Sequence, residues 1–348
     1  MSGYRPPFSL TGEIVTRVAE IGEMLGRFEM RLEREDLLRL RRINRIRTVT
    51  GSLAIEGNTL SEVQITAILD GKRIIAPPRE IQEARNALAA YEHMPAWNPL
   101  QETDLLDAHR LLMLGLLDSA GSYRPGGVGV MAGDRVLHMA PPARQVPRLM
   151  GDLLAWLAAT EDHPLIASSV FHYEFEFIHP FADGNGRMGR LWQTLLLTHW
   201  RPLFAHLPVE SLVHRHQADY YRAIPLSTER TDSAPFIGFM LDMIRDALRE
   251  NLTPQVGPQV TPQVAALLNA LQGEMSRETL QTALGLADRK SFQQRYLQPA
   301  LQAGWIERTS PDKPHSRLQQ YRLSEQGLML LAALAKPNGS DSCKGEKS

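Results

Sequence analysis

Cysteine is almost absent from this chain: there is one, Cys343, in 348 residues, and it sits in a polar tail. An intrachain disulfide and a cysteine-ligated metal centre are therefore excluded. Long apolar runs are missing too. No stretch approaches ~18 uninterrupted apolar residues, so no membrane span is expected. Residues 1–12 lack a basic segment followed by an apolar run, so no secretory signal is expected. Nor does one sign of charge dominate, since 38 Lys+Arg face 39 Asp+Glu for a net charge of -1. Bulk coating of nucleic acid or membrane is thereby ruled out, while a local patch is not. No Walker A sequence occurs. These absences leave a cytoplasmic protein without a membrane partner as the expectation. Hydrophobic residues at 43% and charged residues at 22% are ordinary globular values. The length suits two domains and a small third.

Apolar residues Ile14, Val18, Ile21, Leu25, Phe28 and Leu32 recur at three and four, which predicts helix over 13–48. Gly51 to Leu60 follows as a glycine-marked stretch. Pro77-Pro78 and then Pro95 to Pro99 punctuate the next helices. Residues 103–117, 146–159 and 187–199 read as helices. Between the first two of these, the glycine-rich Gly121 to Gly133 leads into Val136-Leu137-His138-Met139, a pattern for a short hairpin or flap. The strand arrays of a sandwich or parallel sheet are missing, so the expected fold class is mainly α with a β-hairpin flap.

Pro-Gln-Val occurs three times between 254 and 264, which favours an extended linker. Beyond it, helical stretches at 264–272, 276–284 and 288–303 precede a strand pair, Trp305 to Arg308 and Leu318 to Leu323. That is the winged helix-turn-helix order. The expected division is an N-terminal helical region 1–95, a core 96–250, a linker 251–263, a winged helix domain 264–335 and a disordered tail 336–348.

The stretch that carries chemistry is His179-Pro180-Phe181-Ala182-Asp183-Gly184-Asn185-Gly186-Arg187-Met188-Gly189-Arg190. Two glycines flank Asn185 and let successive backbone amides point one way. A helix beginning near Arg187 offers its free N–H groups to an anion. Arg187 and Arg190 lie three apart and reach one side of the helix start, and guanidinium forks match phosphate oxygens. Asp183 supplies one hard oxygen, suited to Mg²⁺ that keeps water and phosphate as its other ligands. His179 accepts a proton near neutral pH. Together these groups describe nucleotide phosphate chemistry. A histidine beside proline is more often structural, and Asp-Gly is more often a turn; it is their concentration within twelve residues that points to a site.

Gly184, Gly186 and Gly189 also satisfy G-x-G-x-x-G, and Phe171, Tyr173, Phe175 and Phe177 alternate as a strand would. A Rossmann start is thus permitted by pattern. Against it, Pro180 to Asp183 intervenes, no series of strand–helix units follows, and arginines crowd the site. Glu210, about the right distance for a ribose contact, is weak support.

His179 to Arg190 resembles the Fic family signature H-x-F-x-D-G-N-G-R-x-x-R at every fixed position. The resemblance extends over roughly 50–250, and the C-terminal unit is similar to the winged helix found after many bacterial Fic domains. It implies a protein adenylyltransferase that moves AMP from ATP onto a Ser, Thr or Tyr hydroxyl of a target protein or of itself. In that reading His179 deprotonates the hydroxyl, Phe181 anchors the loop, and Asp183 holds Mg²⁺ or Mn²⁺ against the phosphates. Gly184, Asn185 and Gly186 form the anion hole, and Arg187 and Arg190 hold the β- and γ-phosphates. Met188 and Gly189 are counted with the nucleotide-binding block. Val136, Leu137, His138 and Met139 resemble the flap that clamps a target peptide by strand addition and lines the nucleotide pocket. Tyr220 and Tyr221 fall where relatives place aromatics against adenine. Where relatives follow that pair with an asparagine, this chain reads Ser227-Thr228-Glu229.

Ser52-Leu53-Ala54-Ile55-Glu56-Gly57 fits the family's inhibitory motif [ST]-x-x-x-E-[GN]. Ser52 and Glu56 are one helical turn apart and face the same way; by the resemblance Glu56 pairs with Arg190 and blocks the γ-phosphate. Relatives with such a brake often dimerise. Between Arg289 and Arg322, seven Lys/Arg (289, 290, 295, 308, 313, 317, 322) outnumber two acids (Glu307, Asp312), a balance of +5. DNA is therefore a candidate partner of the winged helix. The alternative function is a nucleotide-sensing transcriptional regulator.

Overall fold

The structure is a computed structural model, and it describes residues 4–32, 37–132, 135–252, 262–286, 288–310 and 319–334. Most of the expected linker, the tail 336–348 and residues 311–318, which include Lys313, Arg317 and the first residue of the expected strand Leu318 to Leu323, lie outside the described residues, as do the side chains of Val136, Leu137 and His138. The chain divides into two compact units, Met1–Thr253 and Pro254–Ser348.

Among the described residues, the first unit is helical apart from one hairpin. In order it holds α1 (Gly12–Leu32), α2 (Leu37–Ile55), α3 (Glu62–Leu69), α4 (Pro78–His93), α5 (Glu102–Leu112), β1 (Gly129–Ala132), β2 (Arg135–Met139), α6 (Val146–Ala159), α7 (Pro164–Ile178), α8 (Asn185–Trp200), α9 (Val209–Arg215), α10 (Gln217–Arg230) and α11 (Ala234–Leu252). The apolar stripe of α1 does what its period requires: Ile14, Ile21, Leu25 and Phe28 are buried, and α1 packs along α11. The helix expected over 13–48 is described as α1 and α2, and residues 33–36 lie outside the described residues. α2 then runs into the glycine-marked stretch and ends within it, at Ile55. Gly51 permits this path, since a Cβ there would lie 2.6–2.8 Å from the backbone of Glu210 and Ser211.

α7 overturns the strand-like alternation of Phe171, Tyr173, Phe175 and Phe177. It is a helix buried on nearly all sides, packed on α6, α8 and α11. A helix with apolar residues around its whole circumference has no stripe to betray its period. The Rossmann alternative falls with it, because a helix and not a strand leads into the glycines. One hydrophobic cluster runs from Ile14 to Leu248, so the helices before residue 96 and those after it share a core. β1 and β2 pair antiparallel, with a register shift between Val130 and Met131.

The second unit contains α12 (Pro262–Ala270), β3 (Met275–Ser276), α13 (Arg277–Ala283), α14 (Arg289–Phe292), a π turn at Gln293–Leu297, α15 (Gln298–Gln302), β4 (Ile306–Arg308), β5 (Gln320–Leu323) and α16 (Glu325–Leu334). The helix expected over 288–303 is interrupted by that π turn. Pro299, one residue into α15, lacks an N–H and crowds the preceding turn, which widens to accommodate it. The sheet order is β3-β5-β4. β3, only two residues long, carries no periodic signal in the sequence. Phe292, Trp305 and Tyr321 centre this unit's own core.

Candidate active site

α7 ends at His179, which takes φ 51° and ψ 62°, one of two non-glycine residues with positive φ among those described. Such a conformation costs on the order of 1–3 kcal/mol and persists only where neighbours over-determine it. Arg124 supplies that constraint. From a buried position its Nε donates to the His179 carbonyl at 2.7 Å and its Nη2 to the carbonyls of Ile178 (3.2 Å) and Pro141 (2.5 Å). Its Nη1 reaches the Gly126 carbonyl at 2.7 Å, and its backbone N–H the Pro180 carbonyl at 2.9 Å. One guanidinium thus ties both ends of the hairpin to the loop after α7. Nothing in the local pattern around residue 124 signals this.

Beyond His179 the chain dives. Phe181 is fully buried and stacks on His109, with ring centroids 3.6 Å apart. The Asn185 side chain folds back on this turn: its Oδ1 accepts from the Phe181 N–H at 2.8 Å and its Nδ2 donates to the Phe181 carbonyl at 2.9 Å. That side chain shapes the loop, so what Asn185 can offer an anion is its backbone. Gly184, at φ 83°, precedes α8 without a side-chain cap. The first N–H groups of a helix have no partners within it, and the macrodipole makes that end an anion site.

Asp183 keeps 43% of its side chain exposed. Its Oδ1 accepts from the Gly184 N–H at 2.6 Å and from Arg187 Nη2 at 3.3 Å, and its Oδ2 faces Arg79 Nη2 at 3.3 Å. Arg187 also faces Glu83 at 3.8 Å. Arg79 and Glu83, both on α4, are site residues that sequence reasoning missed. So is His109, which holds the Asp183 carbonyl at 3.0 Å through Nε2 while its Nδ1 accepts the Gly121 N–H at 2.9 Å. Burial pushes the His109 pKa down to about 4.

Arg190 is buried. Its Nη2 donates to Glu56 Oε1 at 2.7 Å and to the Ser52 carbonyl at 3.0 Å, and its Nε to Ser52 Oγ at 3.2 Å. Burial opposes the charge on Arg190, but the Glu56 carboxylate outweighs it and the pKa is raised. The Glu56 carboxylate lies against Gly186, where a Cβ would collide with it. It therefore sits over the first turn of α8. The Ile55 carbonyl, at the end of α2, is held by Gln217 at 2.8 Å and Tyr221 at 3.3 Å. Gly57 follows at φ 87°, turning the chain away from the site.

Three of the expected nucleotide contacts, Met188, Gly189 and Tyr220, are buried. Met188 is fully buried in the core. Gly189 faces inward, where a Cβ would come within 2.8–3.1 Å of His172 and Glu176. Tyr220 is 1% exposed, among His172, Phe236 and Phe239, so it has no free face for a base. Tyr221 is half-buried, its hydroxyl on the Ile55 carbonyl. The weaker ribose candidate, Glu210, is buried too, accepting from Tyr91 at 3.0 Å and Thr194 at 2.8 Å. β2 carries Val136 to Met139, of which Met139 is exposed.

A strained histidine at a helix end, a carboxylate, an uncapped helix start and two arginines thus gather in one helical core, an arrangement with the chemistry to meet an anion. Residues 99–197 match the Fic/DOC family, and residues 262–324 match the filamentation induced by cAMP protein Fic-like, C-terminal domain. A Fic family protein from Desulfovibrio desulfuricans G20, known from a crystal structure, is 55% identical; the alignment covers 92% of this chain and 99% of that one, with a TM-score of 0.71. The chain belongs to the Fic family. The protein adenylyltransferase Fic of Culex quinquefasciatus is 30% identical over 210 residues, covering 57% of this chain and 39% of that protein. That of Aedes aegypti is 30% identical over the same length, covering 57% and 40%. The chain thus spans about two fifths of the curated relatives it matches. Fic-1 (residues 134–508) from C. elegans shares the fold, at 22% identity and a TM-score of 0.56 over 68% of this chain and 72% of that one.

Proposed function

We propose that this protein transfers AMP from ATP to a hydroxyl side chain of a target protein and of itself. The observation that carries this reading is the gathering of His179, Asp183, the α8 N-terminus, Arg187 and Arg190 around one turn. Relatives named protein adenylyltransferase support it. ATP supplies a triphosphate for the α8 N-terminus and the two guanidinium groups. His179 takes the proton of the attacking hydroxyl. The oxygen bonds to the α-phosphorus as the bond to pyrophosphate breaks.

The donor set also fits a Mg²⁺ or Mn²⁺ ion. Asp183 is a half-exposed carboxylate, and among the described residues no group of three or more His, Cys, Asp or Glu forms an all-protein cage. One carboxylate suits an ion that takes its remaining ligands from water and phosphate. When bound there, such an ion neutralises phosphate charge.

The Glu56–Arg190 pair is read as a brake. It engages the arginine meant for the γ-phosphate and sets a negative charge over the anion site. The C-terminal unit is read as a winged helix that docks a partner. Among its cations, Arg289 faces Glu278, and Arg322 faces Glu307 and Glu274. Those pairings put the DNA-bound regulator second; binding to duplex DNA that falls steeply with salt would promote it.

His179→Ala separates binding from chemistry. ATP affinity by calorimetry should be retained while AMP transfer vanishes. Loss of ATP binding with transfer falling only in proportion would refute the general-base assignment.

A further inference from the structure

Behind His179 lies a buried polar chain that the reaction as described does not use. Glu176, one turn earlier on α7, has 5% of its side chain exposed. Its Oε2 stands 3.9 Å from His179 Nδ1, and that nitrogen is buried without a hydrogen-bond partner. A buried polar atom left unpaired demands an explanation, and catalytic hydrogen bonds in unliganded sites are often long. The other carboxylate oxygen, Oε1, faces the Tyr220 hydroxyl at 3.4 Å and His172 Nε2 at 3.7 Å. His172 is oriented in turn. Its Nδ1 meets Gln193 Oε1 at 2.6 Å, and Gln193 Nε2 donates to Ser169 Oγ at 3.2 Å. The chain therefore runs Ser169, Gln193, His172, Tyr220, Glu176, His179. It also accounts for Gly189 and Tyr220, because a side chain at 189 would enter the space of His172 and Glu176.

We propose that Glu176 is a positioning residue for His179: its carboxylate accepts a hydrogen bond from His179 Nδ1–H, leaving Nε2 unprotonated to take the proton of the attacking hydroxyl. The imidazolium so formed lies beside a buried negative charge, which stabilises it. The deprotonated oxygen bonds to phosphorus and pyrophosphate departs. This rests on the adenylyl-transfer reading of the site. Several groups face the imidazole: the carboxylate and carbonyl of Glu176 on α7, Arg124 in the segment before β1, and Glu56 beyond α2. His172, Tyr220 and Arg190 face Glu176 from α7, α10 and α8. Burial lowers the His179 pKa and the two glutamates oppose it. Burial would raise the Glu176 pKa, yet its histidine neighbours and Arg190 outweigh that and keep it ionised.

The test is Glu176→Gln, a change of charge at constant volume, in the Glu56→Gly parent. The expected result is a kcat about 100-fold lower, within the 10²–10⁴ that a general base contributes, with the KM for ATP unchanged. The acid limb of the kcat profile should move to lower pH, because the group that holds a proton on His179 has been neutralised. An unchanged kcat and an unmoved limb overturn the proposal. Nitrogen chemical shifts of the ring in the parent itself decide the matter if the variant fails to fold. An Nδ1–H tautomer is expected at neutral pH, and an Nε2–H tautomer overturns the assignment. A parent that transfers no AMP sinks the functional reading, whereas one that transfers and ignores residue 176 sinks only this inference.

Discussion

Replacing Glu56 by glycine removes the carboxylate that lies over the start of α8 and frees Arg190 Nη2 from its 2.7 Å partner. A hydrogen bond to a charged group is worth about 1.5–3 kcal/mol. Glu56 keeps 34% of its side chain exposed, so solvent screening favours the lower end, about 1.5–2 kcal/mol. At 1.4 kcal/mol per factor of ten, the productive site gains roughly 10- to 30-fold. Arg190 does not lose its place, since Ser52 Oγ and the Ser52 carbonyl still hold it. The gain should therefore appear as activity and not as disorder. The assay is the initial rate of self-modification with ATP labelled on the α-phosphate, the variant against the unmodified chain at equal protein. Rates equal within twofold would show that the pair restrains nothing, whatever its geometry.

Three further outcomes follow from the packing. Phe181→Ala empties a fully buried ring site stacked on His109 and should cost about 3–5 kcal/mol in denaturant unfolding. Gly189→Ala forces a methyl group against His172 and Glu176, and a loss of about 1–3 kcal/mol is expected by the same measurement. His109 is neutral in the fold, with Nδ1 accepting from Gly121 and Nε2–H donating to Asp183. Its folded pKa of about 4 lies below the ordinary 6.5, so the unfolded chain binds the extra proton first. Its contribution is full above pH 6.5 and is lost as pH falls toward 4, by about 3 kcal/mol at most. The pH dependence of the melting temperature over that window should flatten in His109→Gln; an identical slope would contradict the assignment.

Parts of this architecture are legible in the residues, and the reasons differ by element. α1 and α6 announce themselves because each has one wet face and one dry one, so the apolar period survives in the sequence. α7 does not, since it is dry all round and its aromatic residues happen to alternate. The motif from His179 to Arg190 can be read because its chemistry is local: the glycines, the carboxylate and the arginines are neighbours along the chain. Arg124, His109, Arg79 and Glu83 stay hidden because their partners between His179 and Arg187 lie 55 to 104 residues away along the chain, the Arg187–Glu83 pair included. The inward turn of Met188, Gly189 and Tyr220 is hidden for a related reason. A motif fixes residue types, whereas the packing of α8, and of α10 for Tyr220, fixes which face each one occupies.

The account stands or falls on whether this turn transfers a nucleotide. The most direct measurement is the intact mass of the Glu56→Gly protein after incubation with ATP and Mg²⁺, beside the same protein carrying His179→Ala. A gain of whole AMP units in the first and none in the second is the predicted result; no gain in either, with ATP bound by both, would contradict it.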